Sequence, residues 1–465
     1  RNPAPPFITS TLQQEASRKL GFSAQKTMMV AQQLYEGVEI ENEGAVGLIT
    51  YMRTDSVRIS DIALNEARKY ILEYFGEEYL PPKPRISKTK SSIQDAHEAI
   101  RPTYIERNPE SLKNSLSSDQ YKLYKLIWDR FLASQMENAV FDTISVEIEG
   151  KPKTLDNRTV LNLRASGAKL VFKGFMALYV EGTDTDEEEA TQLLPSIEEK
   201  ESLILVNIEP SQHFTEPPAR YTEATLVKAL EEKGIGRPST YAPTISTIIN
   251  RGYVERNKKQ LVPTELGKIV NQLMVANFPD IVNVNFTADM EDKLDKVEEG
   301  LIQWKAVLRE FYEPFKETVK RAETIEKIEM PVEQSDEICE ICGRNMVVKM
   351  GRFGKFLACP GFPECKNTKP FLEEAGVKCP KCGGKVIYRK TKRGRKYLGC
   401  ENYPKCDFMT WDMPSDKVCP KCSSFVTQKT KASIITYKCS NPECDYTEEG
   451  RKESKSKSSK SSSKD

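Results

Sequence analysis

The chain has 465 residues, 38% hydrophobic and 29% charged, too long for one ordinary core and suited to three or more folded units. No apolar run approaches the roughly 18 residues of a membrane span and no secretory signal opens the sequence, so a membrane helix is excluded and a cytoplasmic location is expected. A net charge of +1 hides a segregation: residues 339–465 hold 27 Lys+Arg against 14 Asp+Glu (+13), and the rest hold 42 against 54 (−12). A basic C-terminal region on an acidic body points to a polyanion-binding appendage.

The first residues, RNPAPPFITSTLQQ, lack a starting Met and read as a position inside a longer protein. Residues 1–140 are predicted to be mainly helical. TSTLQQEASRKLG, AQKTMMVAQQLYEG and SDIALNEARKYILEYFG each show helical apolar spacing and end at a glycine. Met28 and Met29 in the second run are expected to face the core. Between the helices lies GLITYMRTDS, a short apolar, β-branched run that turns polar. Residues 141–216 switch to alternation (DTISVEIEG, TVLNLRASG, KLVFKGF), which predicts a β-rich segment.

Residues 217–325 return to helix. TEATLVKALEEKG stops at Gly234, GIGRPS turns the chain, and STYAPTISTIIN follows as a second helix. RGYVERNKKQLVPTELG then reads as a two-stranded wing with a basic tip, so the whole resembles a winged-helix nucleic-acid fold. GIGRPS is glycine-rich, but no G-x-x-x-x-G-K-[ST] occurs, so neither nucleotide binding nor nucleotide hydrolysis is indicated.

The twelve cysteines fall into three sets of four: Cys339, Cys342, Cys359, Cys365; Cys379, Cys382, Cys400, Cys406; and Cys419, Cys422, Cys439, Cys444. Their C-x2-C knuckles recur every 40 residues, an internal repeat. Tetrahedral Zn²⁺ takes four thiolates from two facing turns, whereas disulfides belong to secreted chains, so three zinc ribbons are predicted at 335–370, 375–412 and 415–450. Four protein ligands leave no open position for water, making the zinc structural. Three tetrathiolate centres at −2 each would bring the region from +13 to +7, still basic.

Phe356 and Tyr397 precede the third cysteine of the first two sets by three residues, and Phe362 and Tyr403 follow it by three. Lysines and arginines interleave with them. Such rings serve either as the small core of each ribbon or as stacking platforms for single-stranded DNA. Residues 451–465 form a Lys/Ser tail with no apolar residue, expected to be disordered.

Three long stretches then carry a resemblance: PFITSTLQQEASRKLGFSAQKTMMVAQQLYEG running into GLITYMRTDS; QDAHEAIRPT; and PPARYTEATLVKALEEKGIGRPSTYAPTISTIINRGYV, continued by FTADMEDKLDKVEEG. In order and content they resemble type IA DNA topoisomerases of the bacterial topoisomerase I branch. The resemblance implies a multidomain α+β protein: a helical gate domain, a β-rich arch, the later half of a helical DNA-groove domain, and zinc ribbons. It implies that Tyr51 is the nucleophile that retains a 5′ phosphate, that Arg53 stabilises that phosphate and that His97 binds it. Arg237, Ser239 and Thr240 match a segment lining the single-strand groove.

These residue types suit the chemistry. A phenol, with a reference pKa near 10, is both a weak nucleophile and a moderate leaving group, as reversible transesterification without ATP requires. If residues 49–53 are extended, Tyr51 and Arg53 project to one face. The resemblance also implies an N-terminal Toprim domain whose carboxylates hold Mg²⁺, and nothing in the sequence matches it. Asp184 and Asp186 in EGTDTDEEEA form a D-x-D, but in a polar loop instead of behind a buried strand. His213 is expected to be structural. Two readings follow: a monomeric, nucleoid-associated enzyme relaxing negatively supercoiled DNA, or, for this chain by itself, a non-catalytic single-stranded DNA-binding zinc-ribbon protein. A protein partner at the ribbons is a third, weaker reading.

Overall fold

The computed structural model describes residues 1–87, 97–150, 160–184, 194–195, 197–324, 333–351, 354–372, 374–391, 396–431 and 434–451. The chain divides into two units, Arg1–Lys327 and Ile328–Asp465. The Lys/Ser tail beyond Arg451, Asp186 and the basic residues 392–395 lie outside the described residues. Among the described residues, no helix is long and apolar enough to cross a membrane.

The first unit begins with four helices, α1 (Thr9–Glu15), α2 (Ala24–Glu36), α3 (Asp61–Tyr74) and α4 (Ser118–Ser134). The last three start at serine caps, while α1 starts at Ile8 with no side-chain cap. Ser23, Ser60 and Ser117 each accept a backbone N–H three residues on, satisfying donors that a helix start leaves unpaired. A single π turn, Ala16–Leu20, extends α1 to Gly21, whose φ of 66° reverses the chain. The apolar stripes of α2, α3 and α4 close on one core that includes Leu12, Leu34, Ile71, Tyr124 and Phe131. Of the two methionines expected there, only Met28 packs against this core, while Met29 is 54% exposed. One apolar stripe has room for one of two adjacent residues.

A short hairpin, β1 (Val38–Ile40) with β2 (Gly44–Val46), precedes the Tyr51 segment. A longer antiparallel hairpin joins β3 (Val140–Gly150) to β4 (Leu161–Phe172). Among the described residues of the 141–216 region, the β structure is confined to this hairpin. Leu203 to Val206 are a continuous apolar run, yet no strand forms there, and Ile204 and Val206 are 90% and 94% exposed. An apolar run makes a strand only where a neighbouring edge pairs with it. His213, expected to be structural, is exposed on the same segment, with Ser211 Oγ 2.8 Å from its Nε2.

Residues 179–184 return to α1. Tyr179 Oη and Gly182 N both donate to Glu15 Oε2, at 2.5 and 3.0 Å. Arg18 holds both carboxylate oxygens of Asp184, at 2.8 and 2.7 Å. Asp184, half of the D-x-D, is thus committed to an ion pair.

The helical region that follows contains α5 (Glu223–Glu232), α6 (Tyr241–Asn250), the hairpin β5 (Val254–Asn257) with β6 (Gln260–Pro263), α7 (Glu265–Asn277), α8 (Val284–Glu298) and α9 (Trp304–Ala322). This is the helix, turn, helix and wing read from the sequence. Glu223 ties it to the first helices: its Oε2 accepts Ala24 N at the start of α2 (2.8 Å), and its Oε1 pairs with Arg256 on β5. Ala24 also packs with Val227, Tyr241, Ala242 and Ile245.

The second unit holds three four-stranded antiparallel sheets, one per cysteine set. The second and third ribbons share packing, since Phe425 is 7% exposed and meets Phe408 edge-on at 6.1 Å. The first ribbon has a core of its own around Met346 and Leu357.

In the first unit, Thr9 is fully buried and its hydroxyl bonds to the Tyr51 segment, donating to Met52 O (2.7 Å) and accepting Thr54 N (2.9 Å). Thr9→Val keeps the shape and strands both partners, at a cost of about 1–3 kcal/mol. Urea unfolding is expected to show a lower midpoint with an unchanged slope. An unchanged midpoint would show that the hydroxyl contributes nothing.

Candidate functional site

Tyr51 lies on a segment pinned on both sides. Upstream, Thr50 N donates to Arg101 O (2.9 Å), Thr50 Oγ1 to Ala99 O (2.7 Å), and Arg101 N to Thr50 Oγ1 (3.0 Å). An antiparallel bridge joins Ile49 to Pro102. The HEAIRPT residues therefore run beside LITY, and His97 arrives next to Tyr51, with ring centroids 5.3 Å apart. Downstream, Thr9 fixes Met52 and Thr54 as described, and Thr9 N donates to Thr54 O (2.9 Å).

Between these pins the backbone bends and forms no regular strand, but the twofold alternation persists. Met52, Thr54 and Ser56 are buried, while Tyr51, Arg53 and Asp55 face outward. Tyr51 and Arg53 consequently share a face. Tyr35 also packs on the Tyr51 ring, edge-on at 5.4 Å.

Tyr51 and Arg53 form one wall of a cleft of about 480 Å³, with Thr54, Asp55 and His97 completing it. The opposite wall comes from the 236–240 turn and α8: Arg237, Pro238, Ser239, Asp295, Glu298 and Glu299. Five of the six residues expected at the cleavage site and groove therefore meet in one place. The sixth, Thr240, turns its hydroxyl back on the turn, accepting Arg237 N (2.8 Å) and donating to Arg237 O (3.1 Å). Gly236 has φ 81°, and a Cβ there would lie 3.0 Å from Thr240 Oγ1 and 3.3 Å from the Tyr241 ring, so this tight turn needs glycine.

The sequence reading missed Tyr35, Asp55, Asp295, Glu298 and Glu299. Only a fold brings α8 to residue 51, so no local pattern marks the acids. The cleft is mixed in charge. Burial draws the Arg237 guanidinium pKa down, but its hydrogen bond and charge pairing with Asp295 more than offset this, and it ends above its usual value. The nearby phenol of Tyr241 is pushed up to about 12 by burial.

In the second unit, each cysteine set brings its four sulfurs within 4.8 Å of one another. The sulfur pairs span 3.2 to 3.7 Å. A tetrahedron with Zn–S near 2.3 Å has edges of about 3.8 Å, so the sites fit zinc. Backbone N–H groups of Gly361, Asn402 and Asn441 each point at the third cysteine sulfur, at 3.4 Å, as donors that stabilise a thiolate. Phe356 and Tyr397 are half-buried on strands, and Tyr397 packs on Trp411 at 5.4 Å. The residues six positions later are the open ones: Phe362 is 66% and Tyr403 63% exposed.

The family described as DNA topoisomerase matches residues 1–309. That described as topoisomerase DNA binding C4 zinc finger matches residues 336–374, 376–415 and 416–453, one match per cysteine set. Among solved structures, the chain is similar to full-length topoisomerase I from Thermotoga maritima, with 42% identity and a TM-score of 0.60. The similarity covers 80% of this chain and 57% of that one, so the chain spans somewhat more than half of that relative's length.

The three sites predict three zinc ions per chain by elemental analysis, falling to two in Cys382→Ser. Fewer than three in the unsubstituted chain, or no loss in the variant, would contradict the assignment.

Proposed function

The chain belongs to the type IA DNA topoisomerases, and from that premise we propose that it supplies the tyrosine half of a reversible strand-cleavage site. The observation that carries this is the meeting of Tyr51, Arg53 and His97 with Arg237 and Ser239 in one cleft. Tyr51 Oη attacks the phosphorus of a single strand, forming the Oη–P bond as the P–O3′ bond breaks. The phenol proton leaves, the departing O3′ takes one up, and the 5′ phosphate stays on the tyrosine. Resealing is the reverse attack by O3′. The phosphotyrosine ester conserves the broken bond, so no nucleotide is consumed.

Arg53 and His97, on the Tyr51 wall, stabilise the charge that builds on the phosphoryl oxygens. Arg237 and Ser239 hold the strand from the opposite wall. Thr240 acts indirectly, by closing the turn that carries them.

Among the described residues, the groups able to hold a metal ion are the three cysteine sets. We therefore assign Mg²⁺ to Toprim carboxylates outside these 465 residues, where it would neutralise phosphate charge. Joined to that domain, the protein would act as a monomer of the cytoplasmic nucleoid, relaxing negatively supercoiled DNA by strand passage through the helical gate. The ribbons bind single-stranded DNA, with the exposed Phe362 and Tyr403 and the half-buried Phe356 and Tyr397 as stacking faces. A second reading applies to this chain by itself: with no carboxylate metal cluster among its described residues, it binds single strands without cutting them.

A labelled oligonucleotide incubated with the chain, a separately expressed Toprim domain and Mg²⁺ tests both readings. The expected result is a covalent adduct mapped to Tyr51, absent without the added domain and absent in Tyr51→Phe. Arg53→Ala should lower adduct formation by about a hundred- to a thousandfold, the range for removing one stabilising donor. An adduct on another tyrosine would overturn the assignment.

A further inference from the structure

Arg237 is the groove-wall arginine, yet its guanidinium is already occupied. Nη1 donates to the carbonyls of Gly236 (2.9 Å) and Gly234 (3.3 Å), which tethers the group to its own turn. The other edge, Nε and Nη2, grips the two carboxylate oxygens of Asp295 at 3.3 and 2.7 Å. That edge is the two-pronged face with which arginine binds phosphate.

Asp295 lies in the last turn of α8, with Glu291 and Asp292 one turn earlier, 3.9 and 3.7 Å from the same guanidinium. Carboxylates near a helix C-terminus are unfavourable, because the helix end is itself negative. A strand backbone entering this cleft would meet that negative end. The pair with Arg237 offsets the repulsion in the free protein and covers the cation that a phosphate needs.

We propose that Asp295 is a positioning residue for DNA entry, its carboxylate holding the forked edge of Arg237 in the place of a phosphate until a single strand displaces it. This rests on the reading that the cleft accepts a single strand. The tether through Nη1 fixes the sign of the effect. Without Asp295 the guanidinium stays on its turn and the fork loses its two hydrogen bonds to a carboxylate, keeping only the longer approach of Asp292 at 3.7 Å, so binding tightens instead of weakening.

The test is the affinity of the full chain, carrying Tyr51→Phe to prevent cleavage, for a short single-stranded oligonucleotide. It is read as hydrogen-exchange protection of the 234–240 turn, which reports the cleft and not the ribbons. Asp295→Asn should bind about three- to fivefold more tightly, the range of a partly exposed ion pair. Its salt dependence should steepen by about 0.7 in log–log slope, the share of one extra phosphate contact. Asp295→Glu, which keeps the carboxylate, should stay near the starting affinity. Asp292→Asn, which removes the same charge beside the fork but not from it, should shift binding by less than half as much. Equal effects of Asp292→Asn and Asp295→Asn, or weaker binding in Asp295→Asn, would overturn the latch while leaving the cleft reading intact. No protection of the turn by oligonucleotide in any of these proteins would overturn both.

Discussion

The site depends on how the residues on either side of Tyr51 are held. A tyrosine on a bending segment has no ladder of its own to fix it. Here the buried Thr9 hydroxyl grips the segment on one side, and the pairing of Thr50 with Ala99 and Arg101 grips it on the other. Between those grips the chain alternates buried and outward residues, so Tyr51, Arg53 and Asp55 can only face the cleft. The second grip does two things at once, because the segment that pairs with Thr50 also delivers His97. Loosening either one would cost the geometry of several groups together, which is why a hydroxyl contact worth about 1 kcal/mol in stability matters to chemistry.

The opposite wall follows a different logic. The 236–240 turn is rigid, with Gly236 in a conformation that favours glycine and Thr240 closing it. What varies there is electrostatic: an arginine that can serve either a carboxylate of its own chain or a phosphate from outside. The ribbons add a third kind of order, in which thiolates and metal replace a hydrophobic core too small to stand alone. The three parts are thus a segment gripped from both sides, a turn whose arginine is paired with a carboxylate, and three sets of facing thiolates.

Much of this was legible in the sequence. Helical apolar spacing and terminating glycines announced the first three helices, and the cysteine spacing announced the ribbons, because both are local rules. Tyr51, Arg53 and His97 were reached through the resemblance, since nothing local singles out one tyrosine among eighteen. What stayed hidden was what depends on tertiary partners. Leu203 to Val206 are apolar and β-prone but find no edge to pair with. Met29 resembles Met28 but lies off the stripe. Asp295 is about 240 residues from Tyr51 and reads as one more acid on a solvated helix. The aromatic repeat was visible, but its division into half-buried Phe356 and Tyr397 and open Phe362 and Tyr403 required the sheets.

The central claim is that one phosphate can sit among Tyr51, Arg53 and His97 with Arg237 facing it. A crystal structure of the Tyr51→Phe chain with a single-stranded oligonucleotide tests it most directly. The account predicts a backbone phosphate in the cleft, within hydrogen-bond reach of Arg53 and His97 and beside the ring at position 51. An oligonucleotide bound only to the ribbons, or crossing the first unit with no phosphate near residue 51, would contradict it.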